Sequence, residues 1–343
     1  MSWIGLDIGG ANLKAASSCG RARSTPFPLW SQKESLESAL AELIRDLEVP
    51  TEVVGIAAVM TGELADCFSS KQEGVEYIVD GLGRVCRQLG IPAPMFGDTQ
   101  GKFVGVVDAK RDFMKVAAAN WFWLAKFVCQ QVPDRGILID CGSTTMDVIP
   151  FENGTVAVLG KTDLERLKHG ELLYMGVGRT PIFGLLEKVH FQGSEIAVAN
   201  ELFATTKDAL VVAGILPANP ADTETADGRA RTLELCRHRL ARCVCADEAE
   251  LPDGFVAAIA GQALEKMSFA LSQSLRSALG RFPDAKSNLI VSGAGADWLK
   301  IALARHWPDA SLKRFADLVG QPENVSEVGP AFAVAILAME HHP

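Results

Sequence analysis

The apolar and polar positions of the chain fall into two alternating periods, one of strands and one of helices. Residues 4–7 form a short buried-strand run that ends at Asp7 and turns through Gly9-Gly10, and a second arm at 12–16 leads away. That is the pattern of a strand–turn–strand unit. From Ser31, with Glu34 three residues on as a capping box, Leu36, Leu40, Leu43, Ile44 and Leu47 share one helical face until Pro50. Residues 53–59 read as a buried strand, with Thr61-Gly62-Glu63 at its carboxyl end, where open α/β sheets place ligand loops. A helix is expected over 74–89, short strands at 95–96 and 104–107, and an apolar helix over 115–128 whose Trp121 and Trp123 belong to the core.

The opening pattern then recurs. Residues 136–147 repeat a strand, Asp140-x-Gly142, the hydroxyl-rich turn Ser143-Thr144-Thr145 and a second strand, and Asn153-Gly154 marks a hairpin turn. This weak internal duplication predicts an α/β protein of two similar domains with a cleft between them. The first spans 1–134 and is joined by the C-terminal helix 328–343. The second spans 135–327 and carries helical insertions. Within it, 216–227 is a loop, 228–247 and 253–279 are helices, and 288–292 is a strand running into Gly293-Ala294-Gly295. Pro330 lies near the start of the last helix, where a missing N–H matters little.

Composition narrows the partners. The 343 residues, 48% hydrophobic and 22% charged, are enough for two cores. A net charge of −9 argues against general nucleic-acid or membrane-surface binding. No apolar run is long enough to span a bilayer, no basic signal segment opens the chain, and the eight cysteines read as free thiols of a cytoplasmic protein. Cys236, His238, Cys243 and Cys245 resemble a metal-ligand set, but on a helix Cys236 and Cys243 face away from His238 and Cys245. Core thiols are the simpler reading. Homo-oligomerisation stays open.

The chemistry rests on strand ends. A single Asp-x-Gly is common. Two of them with a late Gly-x-Gly, each after an apolar strand, resemble the two phosphate elements and the adenosine element of the actin/Hsp70/sugar-kinase superfamily. Glycines let backbone N–H groups approach a phosphate, hydroxyls at Ser143, Thr144 and Thr145 add donors, and Lys14 adds a point charge. Asp7 and Asp140 would hold Mg²⁺ from opposite sides, though either alone is as readily a turn-capping residue.

A closer resemblance lies in the intervening strings: Thr61-Gly62-Glu63 with Asp66, Cys67, Phe68, Lys71 and Gly74; Ala118-Ala119-Asn120-Trp121; Glu171-Leu172 with Tyr174, Gly176 and Arg179-Thr180-Pro181; Asn200-Glu201-Leu202-Phe203; and Thr225-Ala226-Asp227-Gly228. These resemble the hydantoinase/oxoprolinase-related proteins of tetrahydromethanopterin-linked one-carbon metabolism, over nearly the whole chain. The resemblance implies a phosphate cradle of Asp7, Gly9, Gly10, Asp140, Gly142, Ser143 and Thr144, to which the strand-end reading adds Lys14, Gly293 and Gly295.

The resemblance further implies a transferase of methanofuran biosynthesis that condenses aminomethylfuran diphosphate with a γ-glutamyltyramine-type phenol and releases pyrophosphate. Glu63, Arg179, Lys71 and Asp227 are the candidate catalytic residues, Glu63 first among them as base. Each also has a plainer reading: a helix N-terminal carboxylate for Glu63, a surface ion pair for Arg179, a solvated side chain for Lys71 and an N-cap for Asp227. His169 is an acid, a base or a bystander. The fold leaves two alternatives: an ATP-dependent kinase or hydantoinase-type hydrolase, and a non-catalytic nucleotide-binding regulator.

Overall fold

The computed structural model describes residues 1–132 and 134–341. Strands β1 (Ser2–Ile8), β2 (Asn12–Ser17), β3 (Ala22–Pro26), β4 (Val53–Met60), β5 (Met95–Gly97) and β6 (Phe103–Val104) form one sheet in the order β3-β2-β1-β4-β5-β6. β1 is antiparallel to β2 and parallel to β4, so the Asp7 loop and Thr61 emerge at the same carboxyl edge.

The second sheet repeats this plan. β7 (Arg135–Cys141), β8 (Met146–Glu152), β9 (Thr155–Val156) and β10 (Leu172–Leu173) come first in the chain, then a separate hairpin of β11 (Lys188–Phe191) and β12 (Ser194–Ala197), then β13 (Leu289–Ser292) and β14 (Leu312–Arg314). The order is β10-β8-β7-β13-β14, with β9 on β8, β7 antiparallel to β8 and parallel to β13. The two-residue turn between β8 and β9 has positive φ at both Asn153 and Gly154, as the sequence there requires.

Two helices lie between the sheets. Asn120–Gln131 and Gly329–His341 pack together, and their apolar side chains share one core with Val59 of β4, Leu138 of β7 and Ile290 of β13. Burial of each large side chain here, such as Trp123, Phe332 or Leu337, stabilises by roughly 1.5–3 kcal/mol. The C-terminal helix crosses β1, β2 and β4, so it belongs to the first sheet. Its approach depends on Gly5: a Cβ there would stand 1.9 Å from the Ala331 carbonyl oxygen.

Four local expectations need correction. No capping box forms at Ser31, because the segment breaks into Leu29–Gln32, a 3-10 turn and Leu36–Arg45. The apolar helix over 115–128 is interrupted: Phe113–Val116 ends, Ala118 adopts φ 48°, and a new helix starts at Asn120. The helix over 228–247 is shorter, Leu233–Arg242, and Thr232 rather than Asp227 caps it, accepting the Leu235 N–H at 3.2 Å. The strand expected over 104–107 stops at Val104, and Val106–Arg111 is helical instead.

Candidate functional site

The two hairpins face one another. Asp7 sits at the end of β1 opposite Lys14, and Asp140 near the end of β7 opposite Asp147. The turns touch where Asn12 Nδ2 donates to Ser143 Oγ at 3.4 Å. Between them lies a cleft of about 390 Å³ lined by Asp7, Gly9, Gly10, Asn12 and Lys14 from one side and by Asp140, Gly142, Ser143, Thr144, Thr145 and Asp147 from the other. The repeated sequence pattern therefore converges in space.

Burial governs the electrostatics. Asp7 is raised above the usual carboxylate range by burial, against the pull of Lys14, whose Nζ lies 3.6 Å away, and of Asn120. Asp140 is pushed up to about 7 by burial and by the charge of Asp147, with Lys14 opposing. One carboxylate oxygen of each, Asp7 Oδ1 and Asp140 Oδ1, is buried without a hydrogen-bond partner. Unpartnered hard oxygens on both walls fit a magnesium ion that keeps water and phosphate oxygens as its other ligands. They do not make a cage by themselves: among the described residues no group of three or more His, Cys, Asp or Glu side chains is arranged to hold a metal.

Several residues of the cleft have no signal in periodicity or motif spacing. The helix break at Ala118 aims the N-terminus of Asn120–Gln131 at the cleft, so Asn120 and Trp121 line it and its dipole favours an anion there. Trp121 is thus both core and wall. Arg166, 1% exposed, lies 4.0 Å from the Trp121 ring centre and donates to Asp147 at 2.7 Å. Trp121 Nε1 and Arg166 Nε are buried donors without acceptors. Asp163 also lines the cleft; burial raises its proton affinity, and Lys71 Nζ stands 4.0 Å from it.

Other expected residues sit elsewhere. Glu63 is buried behind Thr61 and Leu64 and does not line the cleft; burial pushes its carboxyl up to about 7, and Oε2 has no partner. Lys71 reaches the cleft only through Asp163. Arg179 lines the mouth. Asp227 is tied to Arg239 at 3.1 Å in a charge network around the buried Asp208, away from the cleft. His169 ends the helix Asp163–His169 outside the lining. Gly293 and Gly295 do not line the cleft either. A Cβ on Gly293 would meet the Cys141 carbonyl oxygen at 2.3 Å and one on Gly295 the Cys141 sulfur at 2.5 Å, so these glycines let the strand end of Asp140 pack closely.

Cys236 and Cys243 are buried and Cys245 exposed; all eight cysteines are free. Among the described residues no helix is long and apolar enough to cross a membrane.

The chain is 33% identical over 337 residues, 97% of its length and 96% of the relative's, to a (4-{4-[2-(gamma-L-glutamylamino)ethyl]phenoxymethyl}furan-2-yl)methanamine synthase of Methanocaldococcus jannaschii. Among solved structures, an acetone carboxylase in its nucleotide-free form aligns with 94% of this chain and 51% of its own at a TM-score of 0.51 and 12% identity. A ROK family glucokinase from Streptomyces griseus aligns with 99% of this chain and 100% of its own at a TM-score of 0.49 and 14% identity. The duplicated hairpins and paired sheets are those of the actin/Hsp70/sugar-kinase fold. A model described as hydantoinase/oxoprolinase matches residues 55–336, and with most of its length so matched the chain belongs to the hydantoinase/oxoprolinase family.

Proposed function

We propose that the protein joins the phenol oxygen of γ-glutamyltyramine to the methylene carbon of aminomethylfuran diphosphate and releases pyrophosphate. The observation that supports this most is the relative's product, which by its name is an ether between a phenyl ring and a furan-bearing methylene. Such an ether needs a phenol and a furan methylene with a leaving group. A cleft walled by two glycine- and hydroxyl-bearing turns suits a diphosphate in that role.

In this reading the bond from the methylene carbon to the diphosphate oxygen breaks, its electron pair leaving with the pyrophosphate. The furan delocalises the positive charge that develops on the carbon, and the phenol oxygen forms the new bond. Gly9, Gly10, Ser143 and Thr144 orient the diphosphate, with Lys14 and the helix N-terminus at Asn120 adding positive potential. Asp7 and Asp140 would hold a magnesium ion, whose chemistry would be to offset negative charge on the leaving group. Asp163 takes the phenol proton: it faces the cleft and burial raises its proton affinity, whereas Glu63 lies behind the wall.

No nucleotide is consumed. The ATP-dependent alternatives rest on the fold and the family, and Gly293 and Gly295 add nothing to them, since they pack on Cys141 instead of opening on the cleft. Incubating the purified protein with Mg²⁺, aminomethylfuran diphosphate and γ-glutamyltyramine tests the proposal. Mass spectrometry should show ether and pyrophosphate in equal amounts; unchanged substrates, or product only when ATP is added, would reject it.

A further inference from the structure

The cleft changes character between floor and mouth. At the floor lie the buried Asp7 and Asp140 with the hydroxyl-bearing turn beside them. At the mouth stand three large side chains open to solvent, Trp30 at 38% exposure, Leu64 at 57% and Tyr174 at 63%. Trp30 and Leu64 come from the half that carries Asp7, Tyr174 from the half that carries Asp140. The exposed Arg179 completes the mouth, its guanidinium carbon 4.2 Å from the centre of the Trp30 ring.

Arg179 differs from the other cations of the cleft. Lys14 faces Asp7 at 3.6 Å, and Arg166 is bonded to Asp147 at 2.7 Å. Among the described residues Arg179 has no carboxylate partner, and its side chain is held by the indole of Trp30. A guanidinium stacked on an aromatic face keeps its N–H edge for a bidentate anion, and its weak hydration lowers the cost of taking one. Its backbone is fixed too, because the Arg179 N–H donates to the Ser143 carbonyl at 2.9 Å.

An aromatic rim with one unneutralised cation is complementary to an aromatic molecule that carries a carboxylate. We infer that the mouth is the acceptor subsite, where Trp30, Leu64 and Tyr174 receive the phenylethyl part and Arg179 binds the carboxylate at the γ-glutamyl end. The inference rests on the proposed reaction for the identity of the acceptor. The rival anion is the diphosphate, but its donors are gathered at the floor, and although the Arg179 backbone is bonded to Ser143 its guanidinium stacks on the Trp30 indole.

Calorimetric titration of the full chain with γ-glutamyltyramine, with tyramine, which lacks the carboxylate, and with Mg²⁺-pyrophosphate tests the assignment. The wild type should bind γ-glutamyltyramine about tenfold to a hundredfold more tightly than tyramine. Arg179→Gln should abolish that preference and leave pyrophosphate binding unchanged. Arg179→Lys should restore part of the preference and serves if the Gln variant melts early, and Trp30→Ala should weaken both phenols. Equal wild-type affinity for the two phenols would overturn the inference, as would an Arg179→Gln variant that keeps the preference and loses pyrophosphate. Ether formation measured alongside separates the two claims. Selective binding without ether rejects the reaction and keeps the subsite, and ether without selectivity does the reverse.

Discussion

Lys14 and Asp147 occupy the same position in the two halves: Lys14 is the cross-strand neighbour of Asp7, and Asp147 that of Asp140. The duplication thus sets a cation beside one cleft carboxylate and an anion beside the other. Lys14 holds the proton affinity of both aspartates down, whereas Asp147 adds to burial in pushing Asp140 up to about 7.

Replacing Lys14 by Met should separate this electrostatic role from any structural one. Lys14 is partly exposed but Asp7, 3.6 Å away, is buried, so removing the cation leaves an uncompensated buried carboxyl and Tm should fall as well. Turnover should fall about tenfold to a hundredfold, and the acid limb of the pH–rate profile should move to higher pH as both carboxyls lose the charge that favours ionisation. A large drop in Tm with an unmoved profile would contradict this.

Glu63 should make stability depend on pH. Its carboxyl titrates near 4.5 when unfolded and is pushed up to about 7 by burial in the folded chain, so between those values the folded state binds more protons. Its contribution therefore favours folding least at high pH: the destabilisation builds as pH rises from about 4.5 and is complete above about 7. Thermal melts from pH 5 to 8 should show a smaller decline for Glu63→Gln than for the wild type. If Glu63 is not the base, that variant should keep most of its turnover while Asp163→Asn loses it.

Asp140→Asn keeps the shape of a turn-capping side chain and removes its charge. The variant should stay folded and lose about a hundredfold to a thousandfold in turnover. Calorimetry should show Mg²⁺ binding weakly to the bare wild type and tightly with pyrophosphate, since two carboxylates leave most of the coordination to other oxygens. Tight Mg²⁺ binding indifferent to pyrophosphate would count against the site as described.

Gly293→Ala tests what the late Gly-x-Gly is for. With φ at +85° and a Cβ that would fall 2.3 Å from the Cys141 carbonyl and 2.9 Å from Asp140 Oδ1, the variant should lose roughly 2–4 kcal/mol of stability. The exposed Ala294 between the glycines should accept Ser with no loss. Weakened ligand binding in a fully stable Gly293→Ala protein would return this element to the ligand.

What the sequence disclosed followed from repetition. Asp7-x-Gly9 and Asp140-x-Gly142 end matching strands, and one fold brings such repeats together. Asn120 and Arg166 left no such trace: Asn120 faces the cleft only because the chain turns through positive φ at Ala118, and Arg166 only because Asp147 and Trp121 hold it. Gly293 and Gly295 were visible as glycines needing close approach, but which atoms approach them is a tertiary fact. Asp227 looked like a cap because its partners, Arg239 and Arg242, lie 12 and 15 residues further along the chain, beyond the reach of a local pattern.

In the proposed reaction carbon, not phosphorus, is the atom attacked. A γ-glutamyltyramine carrying heavy oxygen at its phenol should give an ether that retains the label and pyrophosphate that carries none. Label recovered in a phosphate product, or a phosphorylated phenol in place of the ether, would show phosphoryl transfer and rule out attack at carbon.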